Sequence, residues 1–278
     1  MSLTRRSLLG LLAAMPALSS STSPTSAVTR VLFVRHSTLL VETGGRRVLI
    51  DPSLSPSFGV QGVLHEVHKG PTPAPGSLGR IDVIGVTSGE PTSFDLRTVA
   101  GLDVRRARFL VPDDDVRKRL ALLGHTRVRV VRAGDVVDIG GLRIHVSPAH
   151  GVLSAAVGFH LDAGAPTLWH SGPIPPLEVD AQVASFAADH PASIVCVCAS
   201  GMGLSSSGPP LFANVDDALA LARLARARVL MPVAWGAVPA GLFALVLSAP
   251  PVATPLTTSR DPRIEYPEPG TWYRIVDP

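Results

Sequence analysis

Between residues 31 and 50 three runs, "VLFV", "TLLVET" and "RVLI", follow one another with only short breaks between them. Val, Leu and Ile in runs this short favour strands. The Gly44–Gly45 pair between the second and third runs is a hairpin signal. The chain therefore starts as antiparallel sheet. Residues 53–80 carry Pro56, Pro71, Pro73 and Pro75 and read as loop. Further short strands are predicted at 83–86, 109–112, 128–131, 143–147, 156–161 and 167–170, with a hairpin in "RAGDVVDIGG" and a helix in "DDDVRKRLALLG" that stops at Gly124. Beyond residue 176 the rhythm alternates. "PLEVDAQVASFAADH" reads as helix and "ASIVCVCAS" as strand. "NVDDALALARLARA" reads as amphipathic helix with Asn214 as N-cap, and "RVLMPVAW" as strand again. An antiparallel start followed by alternating strands and helices implies a mixed α/β sheet assembly with helices outside.

A chain of 278 residues with 46% apolar and 17% charged residues can bury a large core. No tandem repeat or long linker divides it, so residues 28–278 are expected to form one domain. The formal charge of +3 includes Arg5 and Arg6. Those two fall in "MSLTRRSLLGLLAAMPALSSSTSPTSA", where a basic start, an apolar run and a small-residue tail ending at Ala27 have the layout of an export signal. "TRRSLLG" resembles the twin-arginine motif. Residues 1–27 are thus expected to direct export to the periplasm or the exterior. Removing them takes +3 less 2, or +1, into the mature chain. Without a basic run carrying interleaved aromatics, no nucleic-acid partner is expected. "PAGLFALVLSAPPVA" is broken by prolines and too short to span a bilayer.

Cys196 and Cys198 share a strand face at i, i+2, which suits two buried apolar residues better than a disulfide. His65 and His68 have H-x-x-H spacing on a loop, and His125, His145, His160 and His190 read as strand-end or surface residues. "SGMGLSSSGPP" (200–210) reads as a flexible lip. "IDVIGVTSGEPTSFDL" (81–96) runs from a buried strand into a polar turn, the kind of rigidly held loop that carries chemistry, yet it has no histidine or cysteine.

"LFVRHSTLLVETGGRRVLIDP", "LLGHTRVRVVRAGDVVDIGGLRIHVSPAHG" and "NVDDALALARLARARVLMPVAWG" resemble, in this order, segments of metallo-β-lactamase-fold proteins. The likeness is to the branch that includes sugar-phosphate lactonases and related phosphodiesterases. It implies an αββα sandwich: two mixed sheets with helices on both outer faces. It also implies hydrolysis by two zinc or similar ions. These would be held by a Thr-His-x-His-x-Asp-His loop, a later His, an Asp in a Gly-Asp-Thr turn and a last His, and would lower the pKa of a bridging water.

At the positions the resemblance assigns to ligands this chain has Ser88, Glu90, Thr92 and Ser93, then His150, Pro173 and Ala234. Only His150 matches. The flanking Thr87, Gly89, Pro91, Asp95, Gly172, Pro232 and Trp235 fit the pattern. No metal or other cofactor is therefore expected, and the chain is expected to be catalytically impaired, binding a small molecule or a protein partner. The alternative is a remodelled hydrolase of a lactone, phosphodiester or other ester, using one zinc or other divalent ion. His36, Asp51, Asp95, His170 and Trp235 are further pocket candidates. Asp51 is expected to fix its loop through backbone N–H bonds. Glu90 and Asp95 are weighed as carboxylates near His150 and His170.

Overall fold

The computed structural model describes residues 28–55, 57–60, 63–66, 72–151, 154–164, 166–201, 210–234, 238–239, 258 and 260–276. Residues 1–27, His68, Trp235 and nearly all of the 200–210 and 239–253 stretches lie outside these residues. The described strands are β1 (Val28–Arg35), β2 (Thr38–Thr43), β3 (Arg46–Ile50), β4 (Ser57–Val60), β5 (Val63–Glu66), β6 (Val83–Gly85), β7 (Arg108–Val111), β8 (Val128–Val130) and β9 (Val136–Ile139). They continue with β10 (Leu142–Pro148), β11 (Val157–Asp162), β12 (Leu168–His170), β13 (Ile194–Cys198), β14 (Val229–Val233), β15 (Val238–Pro239), β16 (Arg263–Ile264) and β17 (Thr271–Val276). The helices are α1 (Leu96–Ala100), α2 (Asp114–Leu122), α3 (Ala181–Asp189) and α4 (Val215–Leu224), with 3₁₀ turns at Pro75–Leu78 and Leu177–Val179.

Two seven-stranded mixed sheets result, ordered β17-β1-β2-β3-β6-β7-β8 and β16-β14-β13-β12-β11-β10-β9. A small third sheet, β15-β5-β4, corrects the reading of residues 53–80 as loop. The prolines there bracket a hairpin and do not exclude one. Period-2 alternation explains the layering. On β1, Val31 and Phe33 point between the sheets and meet Phe159, Leu161, Cys196 and Met231. Leu32 and Val34 point outward, into a layer that includes Val99 of α1 and Val116 and Leu120 of α2. On the far side Val195, Val197 and Leu230 pack under Val183 of α3 and Leu219 of α4. The outcome is the αββα sandwich. β13 and β14 are buried along their whole length, because parallel strands between two helices and a second sheet have no wet face.

Local chemistry starts the helices. Asn214 accepts from the Asp217 N–H at 3.0 Å while Asp217 accepts from the Asn214 N–H at 3.0 Å, a reciprocal capping box. The expected helix at 176–190 is split. Asp180 interrupts it and caps α3 by accepting from the Gln182 and Val183 N–H groups at 2.9 and 3.0 Å.

One sequence expectation is corrected on the outer face of the second sheet. His160 is neither a strand end nor a surface residue; it is 4% exposed in the middle of β11. Its ring lies 5.7 Å from that of His145 and 5.9 Å from that of His190, and His190 stacks on Phe186 at 4.0 Å. Burial lowers the pKa of His160 and of His145.

Candidate functional site

The candidate residues gather where the two facing sheets end. Backbone hydrogen bonds stitch the loops there into one frame. Val157 N–H donates to Thr87 O at 2.8 Å, and Ser88 forms an antiparallel bridge with Ala156. His150 N–H donates to Pro173 O at 2.8 Å, and Ala234 N–H donates to His36 O at 3.0 Å. Four positions named for ligands are thus joined across the strand ends. His36, Asp51 and Ala234 have φ of 50°, 51° and 58°, and Gly172 has 66°. Left-handed backbone at a non-glycine residue is held against its preference, and such residues concentrate at functional sites.

Asp51 organises the floor. It is fully buried, and it accepts from the Thr87 N–H at 2.7 Å and the Thr87 hydroxyl at 2.8 Å. The Thr87 hydroxyl also lies 3.2 Å from the Ser93 hydroxyl. Burial pushes the Asp51 carboxyl up to about 7, against the opposing pull of hydrogen bonds from Thr87, Ser93 and Ser37. The 91–95 turn is tied down in parallel. Ser37 donates to Thr92 O at 3.1 Å, and Ser53 donates to Pro91 O at 2.7 Å.

His170 is a strut between the sheets. Gly172 N–H donates to its Nδ1 at 3.1 Å, so Nε2 carries the proton and donates to Ser37 O at 3.2 Å. Both ring nitrogens are engaged and the side chain is fully buried. Burial lowers its pKa to about 4, so it stands neutral. His36, in the first hairpin turn, is also buried. Burial, reinforced by the charge of Arg35, lowers its pKa to about 4 as well.

His150 points elsewhere. Its imidazole is 56% exposed, and Nε2 lies in close polar contact with Oδ2 of Asp180, the cap of α3. Sequence reasoning missed Asp180; its one signal was an acidic residue just ahead of an apolar helical run. Glu90 belongs to the same corner. A Cβ placed on Gly151 would meet its Oε1 at 3.1 Å, one residue from His150. Ser88 is fully buried, and Ser93 is buried. Pro173 and Ala234 offer no side-chain donor atom.

Asp95 does not serve the histidines, contrary to the role weighed for it. Its Oδ1 accepts from the Arg97 N–H at 3.0 Å, and its Oδ2 accepts from the Thr98 and Ser55 hydroxyls, both at 2.7 Å, so it caps α1. Cys196 and Cys198 are both free and buried, and burial pushes their thiols up. Among the described residues no three His, Cys, Asp or Glu side chains come together as a group that could hold a metal ion.

This frame defines a class. A family model described as a beta-lactamase superfamily domain matches residues 30–234, well over half of the chain, and the chain belongs to that superfamily. Its fold is that of the metallo-β-lactamases. Among solved structures it is similar to an isothiocyanate hydrolase from Delia radicum gut bacteria, with TM-score 0.66 and 15% identity over 89% of this chain and 99% of that one. It is also similar to a possible metal-dependent hydrolase from Veillonella parvula DSM 2008, with TM-score 0.65 and 13% identity over 89% and 98%. A third is a metallo hydrolase from the hyperthermophilic archaeon Ignicoccus hospitalis KIN4/I, with TM-score 0.60 and 14% identity over 90% and 100%. At these identities the likeness is one of fold. No curated protein matches.

Proposed function

We propose that this chain is an exported, metal-poor member of its superfamily that binds a small molecule or a protein partner in the cradle between the sheets and has little or no hydrolytic activity. One observation carries the reading. The seven positions that would surround two ions supply a single imidazole and a single carboxylate, at His150 and Glu90, and the imidazole is engaged by Asp180. Divalent ions of this kind need three or four nitrogen, sulfur or carboxylate donors each. Hydroxyls at 88, 92 and 93, a proline at 173 and a methyl group at 234 do not fit a two-ion centre. The intact frame, with buried Asp51, His170 and Ser93 still cross-linked beneath it, supports retention of the pocket as a binding surface. The basic, apolar and small-residue layout of residues 1–27 supports export.

The proximity of the Glu90 carboxylate to Gly151, next to His150, favours a second reading. In it, a remodelled hydrolase holds one divalent ion in that corner. Turnover separates the two. The chain, assayed with zinc or manganese added, is expected to leave lactone, phosphodiester, ester and β-lactam substrates unhydrolysed above the buffer rate. Metal-dependent hydrolysis of any of them, abolished by Glu90→Gln, would establish the second reading in place of the first.

A further inference from the structure

Arg35 ends β1, one residue before His36, and its side chain is 6% exposed. A guanidinium keeps its charge under all ordinary conditions and presents five N–H donors. Among the described residues the one hydrogen-bond partner of Arg35 is neutral: Nη1 donates to the Thr72 hydroxyl at 2.5 Å. Nε is buried and has no hydrogen-bond partner among the described residues. None of the ion pairs of the described residues includes Arg35. Its pKa is lowered by burial, and its charge reaches the His36 ring, which stays neutral. A buried cation without an anion is among the most unfavourable arrangements in a protein interior. The edge of a guanidinium formed by Nε and Nη is the one that pairs two-to-two with a carboxylate or phosphate.

We propose that Arg35, with Thr72 beside it, is an oxyanion site on the rim of the cradle, and that the ligand of the cradle is a small molecule bearing a carboxylate or phosphate group which the Nε edge of Arg35 holds. The proposal rests on the binding reading above and names the chemical class of its ligand. His36 is the chain neighbour that links this anchor to the strand ends: its carbonyl accepts from the Ala234 N–H, and its ring lies in the field of Arg35.

Thermal unfolding of the full chain tests it, with inorganic phosphate and acetate as probes, sodium chloride at matched ionic strength as the reference, and each measurement made with a chelator and repeated without it. At least one of the two oxyanions is expected to raise Tm by about 2–4 °C over chloride. Arg35→Met keeps the apolar stem and removes the charge. It is expected to lose the response and to unfold no lower than the unsubstituted chain in chloride. Arg35→Lys keeps a point charge without the fork and is expected to retain part of the response, which covers the case in which the Met variant fails to fold. Absence of any oxyanion effect on the unsubstituted chain would overturn the site, as would an equal effect on Arg35→Met. The chelator makes the result independent of metal content: discovery of ions in the cradle would end the metal-poor reading and leave this measurement standing. A response that appears only without chelator and survives Arg35→Met would place the anion on a bound cation and overturn both.

Discussion

At the scale of single residues, the same burial moves the carboxyl and the imidazoles of the cradle in opposite directions. His36 and His170 drop from 6.5 to about 4. Between those values the unfolded chain binds protons that the folded chain refuses. The two histidines therefore contribute stability that is fully present above pH 6.5 and lost as pH falls toward 4. Asp51 rises from 3.8 to about 7. The folded chain keeps that proton where the unfolded chain releases it, so its contribution declines as pH rises from 3.8 to 7. Two groups outweigh one. The urea midpoint is expected to fall between pH 6.5 and 4.5, and to fall more steeply in Asp51→Asn, where the opposing group is gone. A midpoint that stays level in the unsubstituted chain, or a shallower slope in Asp51→Asn, would contradict these assignments. The Asp51 contacts were partly legible in the sequence, because an Asp at the end of a strand ahead of a Pro favours capping nearby backbone N–H groups. The Asp180 partner of His150 and the Ser37 partner of His170 were not. Each pair joins loops that are distant in the chain, and only the closing of the two sheets brings them together.

At the scale of elements, local rules explain what was readable. Val, Leu and Ile runs marked the inner strands of both sheets but not the edge strands β16 and β17, and Asn214 marked the start of α4 through its own short-range chemistry. Replacing Asn214 by Ala leaves the Asp217 N–H without its acceptor and undoes the reciprocal bond. It is expected to lower stability by about 1 kcal/mol in urea unfolding. A change near zero would show that the capping box is redundant with the packing of Leu219 and Leu221. α1 escaped notice because it is five residues long, too short for periodicity to register, and depends on Asp95 at its cap. The β4–β5 hairpin escaped because prolines around it read as breakers, whereas they mark its edges. His160 was misplaced because alternation within β11 assigns a face but does not reveal that α3 covers that face.

At the scale of the whole molecule, the first hairpin turn ties one sheet to the other. His36 O receives Ala234, and Ser37 O receives His170. Directly below, Gly85 lies against Phe159 so closely that an added Cβ would meet the ring at 2.8 Å. The two sheets are thus held together by backbone and imidazole groups at the end where the candidate residues gather. The overall architecture could be read from the sequence because strand and helix order constrains it strongly. The assignment of Ser88, Glu90, Thr92, Ser93, His150, Pro173 and Ala234 to ligand positions is an expectation that rests on the resemblance of the loop flanks to the family pattern. The burial of Arg35 could not be read, since the residue looks like any charged strand end until the sheets close. No helix among the described residues is long and apolar enough to cross a membrane. Elemental analysis of the full chain, purified without a metal-binding tag and dialysed against metal-free buffer, tests the central claim most directly. Zinc, manganese and iron together are expected well below one ion per chain, with no change in His150→Ala; two ions per chain, or one that disappears in His150→Ala, would contradict it.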